Sequence, residues 1–587
     1  MTISRAFTLF TKKYFITLTY LFPLISVLFF VYIFGVNVPF WDEWVLPSFF
    51  QKVISGHANI LDFFAQHNEH RIFFPRILFL LNSFISKWDV KIQMYLSILL
   101  VFVSFGNLYL ISSKIKNKRQ SLFYLTNIGT SFFIFSLTQW ENWLWGFQVA
   151  FIIVNTCIIS AISFLSIPQK MSINKKIVFA AACCFIASFS SAHGLLSWIA
   201  LIPNLVLIEG NKKERISRII VWMILFILSI SIYLIGYEKP SFSPDVFYFW
   251  KEPFIAFQFL LIFLAAPFGS LVIPSIIIGA IILFNWLIFN ILFIKNYNSS
   301  FAYEAAPWFS LGWFATLYAL MITIGRAGWT FYVATTSRYT TTTVLLYISL
   351  LQIWRIYISH YSHHWQPLTK NIYRYFYICF FTTILICSLI PSTINAFAKG
   401  EEIWLQRSQG KTCLEIVAFL DKSVLEQSNS CINSLFFQPV NDKKIFLTLE
   451  ELKLREFAKD IKFISQDTQA YGSINVKSTV DKPVLLSRNS SIKISGWITS
   501  FQGKKQPNIV LFSYGNNRSF FANASVKLNR FGYIKTSNQN FSKRYQWDIS
   551  LPVKSIPLDS TVVKAWVYSS ESKQFLKLDG ELNIQKS

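Results

Sequence analysis

The chain reads as an α-helical multi-pass membrane protein with a C-terminal extracytoplasmic β-sandwich domain. Three observations predict this. Hydrophobic residues make up 53% of the 587 and charged residues only 14%, where soluble domains carry about a quarter charged residues. Apolar runs long enough to span a bilayer recur until about residue 392. Beyond that point Lys, Asp, Ser and Asn rise, and short alternating segments take over. Sixty-one Phe, 19 Trp and a mean hydropathy of +0.44 exclude a soluble enzyme, a disordered hub and a fibrous protein. The 54 Lys and Arg against 29 Asp and Glu leave a net charge of +25. In a membrane protein such an excess marks cytoplasmic loops and headgroup contacts, and no nucleic-acid-binding module accompanies it.

The elements follow in order. Arg5, Lys12 and Lys13 put the N-terminus in the cytoplasm, and the uncharged run 14–36 is a retained span with no cleavage site after it. A large first outer loop, about residues 37–90, carries five acids. Spans are expected at 91–112, 121–138 and 149–167, and 177–208 reads as an out-and-back hairpin with 190–194 at its tip. Residue 219–236 exits again. The runs 254–272, 274–294, 307–325, 340–354 and 376–392 are all apolar, yet the basic stretch 355–374 belongs in the cytoplasm. Parity then requires one run not to cross, and 254–272, with Pro267 and Gly269, is the candidate re-entrant segment. About 11 transmembrane helices result. The domains divide as 1–395 (membrane), 396–472 (mixed helical linker, with a helix-like pattern at 449–462) and 473–587 (β-sandwich). Strands are expected at 492–498, 508–513, 545–551 and 561–568.

Five cysteines lie in apolar runs and read as packing residues. Cys413 and Cys431 alone lie in the external part, which makes them the one plausible disulfide. No cysteine pattern has zinc spacing.

Polar and aromatic groups gather at the outer ends of the spans. Directly after the first span stand Phe40-Trp41-Asp42-Glu43-Trp44. A carboxylate in such a half-apolar setting can act as a general base; a solvated acid beside interfacial aromatics is the plainer alternative. His67, Glu69, His70 and Arg71 come next. The two His share a face if the segment is helical, and with an acid they could ligate a metal. A hydrogen-bonding network around a sugar or phosphate fits them better, with Arg71 suited to a bidentate phosphate contact. Trp140, Glu141, Asn142, Trp143, Trp145 and Gln148 supply flat apolar faces edged with polar groups. That combination suits sugars, and also an aromatic belt at the headgroups. Arg326, Arg338 and Tyr339 flank a later outer loop, and His193 sits at the hairpin tip. Arginine at this depth pairs with lipid phosphate, or snorkels.

This set resembles the GT-C superfamily of membrane glycosyltransferases, and in particular a bacterial group of GT-C-like proteins. The resemblance is carried by the acidic motif at 40–44 in a large first outer loop, by 67–71, 139–148 and 337–339, and by Ser495-Gly496-Trp497-Ile498 in the trailing domain. It covers the chain to about residue 395. It implies a polyprenyl-phosphate sugar donor and a bacterial inner-membrane location, with the active site and C-terminal domain extracytoplasmic. It also implies Asp42 as catalytic base, with Glu43 as the alternate.

The expected activity is therefore inverting transfer of a hexosyl or pentosyl group from a polyprenyl-phosphate donor to a cell-envelope glycan or lipid-linked acceptor. Arg71, Arg326 and Arg338 would neutralise the leaving phosphate. His67, His70, Glu141 and Asn142 would shape the sugar site, Glu69, Gln148, His193 and Tyr339 would belong to the same substrate-binding surface, and Trp140, Trp143 and Trp145 would stack on donor or acceptor. No cofactor and no metal are expected, although a divalent cation is compatible with the residues. A transporter or flippase of lipid-linked glycan would place polar groups at mid-membrane and show inverted repeats, which the sequence lacks. A non-catalytic envelope assembly protein would depend on the C-terminal domain alone. A glycan polymerase or ligase would differ in product size.

Overall fold

A helix rises 1.5 Å per residue, so about 20 apolar residues cross a hydrocarbon layer. The computed structural model describes residues 3–115, 120–167, 171–269, 271–361, 367–427, 430–437, 443–465, 471–475, 483–499, 509–527 and 544–587, with backbone alone for 3–15 and 367–389. Among these, eight helices are long and apolar enough to cross: Ile16–Phe34, Val90–Ser113, Gln120–Leu144, Gly146–Ser166, Lys212–Leu234, Val272–Lys295, Ser300–Arg326 and Ser337–Tyr361. Each coincides with a predicted run. The predicted span at 376–392 falls inside the helix Pro367–Glu415, and its residues to 389 lie outside the described side chains.

Two predicted departures from simple crossing are met. The apolar run from 254 forms only the helix Pro253–Leu264 before a 3-10 turn at Ala266–Phe268. Twelve residues reach about 18 Å, too short to cross. The Leu264 carbonyl instead accepts a hydrogen bond from the Tyr347 hydroxyl, ten residues into Ser337–Tyr361. Gly279 lets this short helix lie close, since a Cβ there would stand 2.0 Å from the Leu261 carbonyl oxygen. The 177–208 hairpin is Ile173–Ser188 followed by a return in short pieces, Ala192–Leu195, Leu196–Ala200 and Ile202–Leu207. Its tip turns tightly at Gly194, where a Cβ would meet the Ala187 carbonyl at 1.9 Å.

The chain divides into two compact units, and the division cuts the first loop. One unit comprises Met1–Gly35, Asn59–Asn82 and Lys91–Gly400; the other comprises Val36–Ala58, Ser83–Val90 and Glu401–Ser587. In the second unit the helix expected at 449–462 runs instead over Lys444–Glu451. Lys453 stops it by adopting a left-handed conformation, φ 54°.

The β part begins earlier than residue 473, with Lys462–Ile464 pairing in parallel to Gln574–Lys577. The four predicted strands appear as Ser491–Thr499, Ile509–Tyr514, Arg544–Pro552 and Ser560–Ser569. Among the described residues ten strands form one sheet, eight of them in a single hydrogen-bonded path and two, Val484–Leu486 and Leu582–Lys586, branching from it. Ala522–Lys527 pairs with Ile509–Tyr514 on one side and with Arg544–Pro552 on the other. The two halves of the path bury one core, in which Phe512 meets Trp547 edge to face at 5.7 Å.

Candidate functional site

The segment holding His67, Glu69, His70 and Arg71 is a hairpin, Gln66–His67 against His70–Arg71, with His67 opposite His70. Asn68 makes the turn at φ 50°. The helical i, i+3 face considered for a metal does not form. Among the described residues no three His, Cys, Asp or Glu come together to hold an ion.

The hairpin is fastened to the end of Lys212–Leu234. That helix leaves its last carbonyls without intrahelical partners. Arg71 donates through Nε to the Tyr233 carbonyl at 3.0 Å and through Nη2 to the Ile235 carbonyl. Its Nη1 reaches the Phe64 carbonyl at 2.8 Å. The Tyr233 hydroxyl returns a bond of 2.7 Å to the Glu69 carbonyl. Arg71 is buried and bound to the protein's own backbone; the phosphate contact expected of it is replaced by a capping role.

Glu69 extends from the same turn to an ion pair with Arg326. Arg326 ends Ser300–Arg326, where a cation suits the helix dipole, and lies over Trp329 at 4.5 Å. Arg338 is held in a second pair with Glu141, Nη1 to Oε1 3.1 Å, while Glu141 Oε2 accepts the Arg338 backbone N–H at 3.2 Å. The carboxylate thus caps the start of Ser337–Tyr361. Ser337 Oγ accepts the Glu141 N–H at 3.1 Å and donates to the Thr138 carbonyl at 2.7 Å. Asn142 Nδ2 reaches the Arg338 carbonyl at 2.9 Å.

The tryptophans divide. Trp140 is half-exposed. Trp143 and Trp145 are buried, and Trp143 Nε1 donates to the Ser136 carbonyl at 2.9 Å. Those two are packing residues, and the stacking surface expected of them is not open. The run 139–148 is broken into the five-residue helix Trp140–Leu144 and the 3-10 turn Gly146–Gln148, and the Trp143 and Trp145 rings are packed inside.

The predicted clusters of the first unit meet through rings. His67 packs on Phe147 at 5.1 Å and His70 on Phe151 at 5.4 Å. Phe151 stacks on His193 at 5.5 Å, and His193 meets Tyr318 at 4.9 Å. Tyr318 contacts Phe263, Phe263 contacts Tyr339, and Arg338 covers the Tyr339 ring. His70 and His193 also share Ser191, whose Oγ lies 3.4 Å from His70 Nδ1 and 3.0 Å from His193 Nδ1. His193 lies outside the eight spans, in the turn at Ala192–Leu195. Burial, and then the neighbouring His70, lowers its pKa to about 3, so the ring is neutral. Its Nε2, like Gln148 Oε1, is buried with no hydrogen-bond partner among the described residues, and an orphaned buried atom of this kind calls for an explanation. Tyr318 and Phe263 were not singled out by sequence, because each reads as one more aromatic in an apolar run.

Asp42 and Glu43 lie in the second unit, within a 3-10 turn over Trp41–Val45. Glu43 is fully buried, and its Oε2 accepts the Phe40 N–H at 2.8 Å, closing the turn from its third position. Asp42 stays partly exposed. Trp41 beside it takes φ 48°, a costly conformation for a bulky side chain. Its ring stacks on Phe40 at 4.7 Å and meets Phe437 edge-on at 5.8 Å. Arg407 lies over Phe40 at 4.1 Å. Trp44 Nε1 donates to the Leu435 carbonyl at 3.1 Å, and its ring stacks on Phe436 at 4.3 Å. Phe436, Phe437 and Arg407 carry no motif and were missed. The predicted disulfide Cys413–Cys431 is present, closing a separation of 18 residues.

No protein-family model matches the chain, and no curated protein aligns with it. Among solved structures, ArnT from Cupriavidus metallidurans bound to undecaprenyl phosphate aligns over 75% of this chain and 76% of its own, at 12% identity and a TM-score of 0.36.

Proposed function

We propose that the protein is a GT-C-type glycosyltransferase of inverting mechanism. It moves a sugar from a polyprenyl-phosphate donor to an envelope glycan or lipid-linked acceptor, on the extracytoplasmic face of a bacterial inner membrane. One observation carries the reading: of two adjacent carboxylates after the first span, Glu43 is fully buried and caps the turn, while Asp42 is partly exposed beside the strained Trp41. Strain of this kind persists where the surroundings over-determine it and clusters at functional positions.

In this reading Asp42 takes the proton of the acceptor hydroxyl as that oxygen attacks the anomeric carbon. The bond from that carbon to the lipid phosphate breaks as the new bond forms on the opposite face. The phosphate leaves as an anion and needs charge rather than a proton. Arg326 and Arg338 supply that charge; Glu69 and Glu141 hold each guanidinium in place. His67, His70, Asn142, Tyr339 and the orphaned His193 Nε2 and Gln148 Oε1 serve the sugar hydroxyls. Trp140 is the stacking face left among the three tryptophans, and no metal takes part.

The test is Asp42→Asn in the native host, with surface-glycan mass, polyprenyl-phosphate sugar and protein level compared with wild type. Loss of a sugar mass with donor accumulation and normal protein supports transfer. Unchanged glycan with both Asp42→Asn and Glu43→Gln sinks it.

A further inference from the structure

The second unit contains a cavity of about 320 Å³, at the small end of ligand sites. Its lining joins stretches far apart in sequence: Asn37 and Val38, Ser86 to Asp89, Lys411 to Glu415, and Lys453 to Phe457. Lys87, Lys411, Lys453 and Arg455 bring four cations to it; Asp89, Glu415 and the exposed Glu456 bring three acids.

The arrangement of these charges is uneven. Arg455 is anchored through Nη2 to Asn37 Oδ1 at 2.7 Å and to the Trp88 carbonyl at 3.0 Å. Burial pulls its pKa down, and the nearby charges of Asp89, Glu43 and Glu415 oppose that pull. Its Nε is buried with no hydrogen-bond partner among the described residues. Lys411 has a loose 3.9 Å contact with Glu415. Lys87 and Lys453 form no ion pair among the described residues.

The backbone at these two lysines is unusual in the same way. Lys87 and Lys453 both adopt φ 54°, a left-handed conformation that costs a side-chain-bearing residue free energy and that glycine usually fills. Lys453 closes Lys444–Glu451, with the Leu454 N–H returning to the Leu449 carbonyl at 2.9 Å. Lys87 precedes the buried Trp88, which is wedged against Phe50 at 5.3 Å. Two turns that glycine would serve at less cost both carry lysine, and both line one cavity.

We propose that this cavity binds a small anionic ligand bearing a carboxylate or phosphate, between Lys87 and Lys453, with the anchored Arg455 guanidinium as a fixed positive charge beside them. The test titrates the full-length protein in detergent, by calorimetry, with glucuronate, glucose 6-phosphate and glucose. The expected result is that one or both anionic sugars bind at least about tenfold more tightly than glucose, and that added salt weakens them. Which of the two binds separates carboxylate from phosphate. Lys87→Gly with Lys453→Gly keeps or eases both turns while removing the charges. That variant should melt at the same or a higher temperature and lose at least about tenfold in affinity. Lys87→Gln with Lys453→Gln is the second variant should the first fail to fold. Equal binding of glucose, undiminished binding by a folded double variant, or no binding by wild type at millimolar concentration overturns the proposal. The titration reads binding alone, so its failure leaves sugar transfer by Asp42 untouched.

Discussion

At the scale of the residue, adjacent carboxylates part company by burial. Asp42→Asn should lower transfer about 10³-fold, the usual weight of a general base, with the melting temperature unchanged. Glu43→Gln should act the other way round, weakening the fold because the Phe40 N–H loses its anionic acceptor. Turnover and thermal melting of the two purified variants separate these outcomes. His193 predicts a pH effect. The unfolded imidazole takes a proton near 6.5 and the folded one only near 3. Between these values the unfolded state binds the extra proton, so stability falls as pH drops through that window. Melting curves across it should show the fall in wild type and a shallower one in His193→Phe. The candidate residues were legible as types, since acid, imidazole, amide and guanidinium groups stand out in an apolar chain. Their roles were not, because Arg71 and an open phosphate ligand look alike until the carbonyls around it are known.

Elements were read most accurately where one physical rule governs them. Spanning length fixed the long helices; parity required one run not to cross, Pro267 and Gly269 pointed to 254–272, and that run forms only the short helix Pro253–Leu264. Where rules compete the sequence decides less: the spacing of His67 and His70 left a helical face open, and the segment is a hairpin, while the helix-like pattern at 449–462 continues past a turn made by Lys453. The 66–71 hairpin is held chiefly by Arg71. Arg71→Ala should cost about 3 kcal/mol, since buried carbonyls lose their donor. Arg71→Lys should recover little, because one ammonium cannot reach the Phe64, Tyr233 and Ile235 carbonyls as a planar fork does. Chemical denaturation of both variants in detergent measures the difference.

On the scale of the whole molecule, composition announced a membrane part and a β part, but not that the first loop belongs to both units. No local signal marks the cuts near residues 58 and 83, since the partners of 36–58 lie hundreds of residues away. Trp44, for example, donates to a carbonyl 391 positions later. The disulfide lies in the same unit. Reduction, or Cys413→Ser with Cys431→Ser, should cost about 3 kcal/mol of stability for a loop of this size, read as a lower melting temperature of the second unit's signal. The long reach from Trp44 to Leu435 also sets an order of events during synthesis. The turn bearing Asp42 is among the first segments to leave the ribosome, yet its packing partners emerge near the end. That turn therefore stays unassembled while the spans are inserted, and a chain released early, before Leu435, would carry all eight described spans and still lack a finished acid turn.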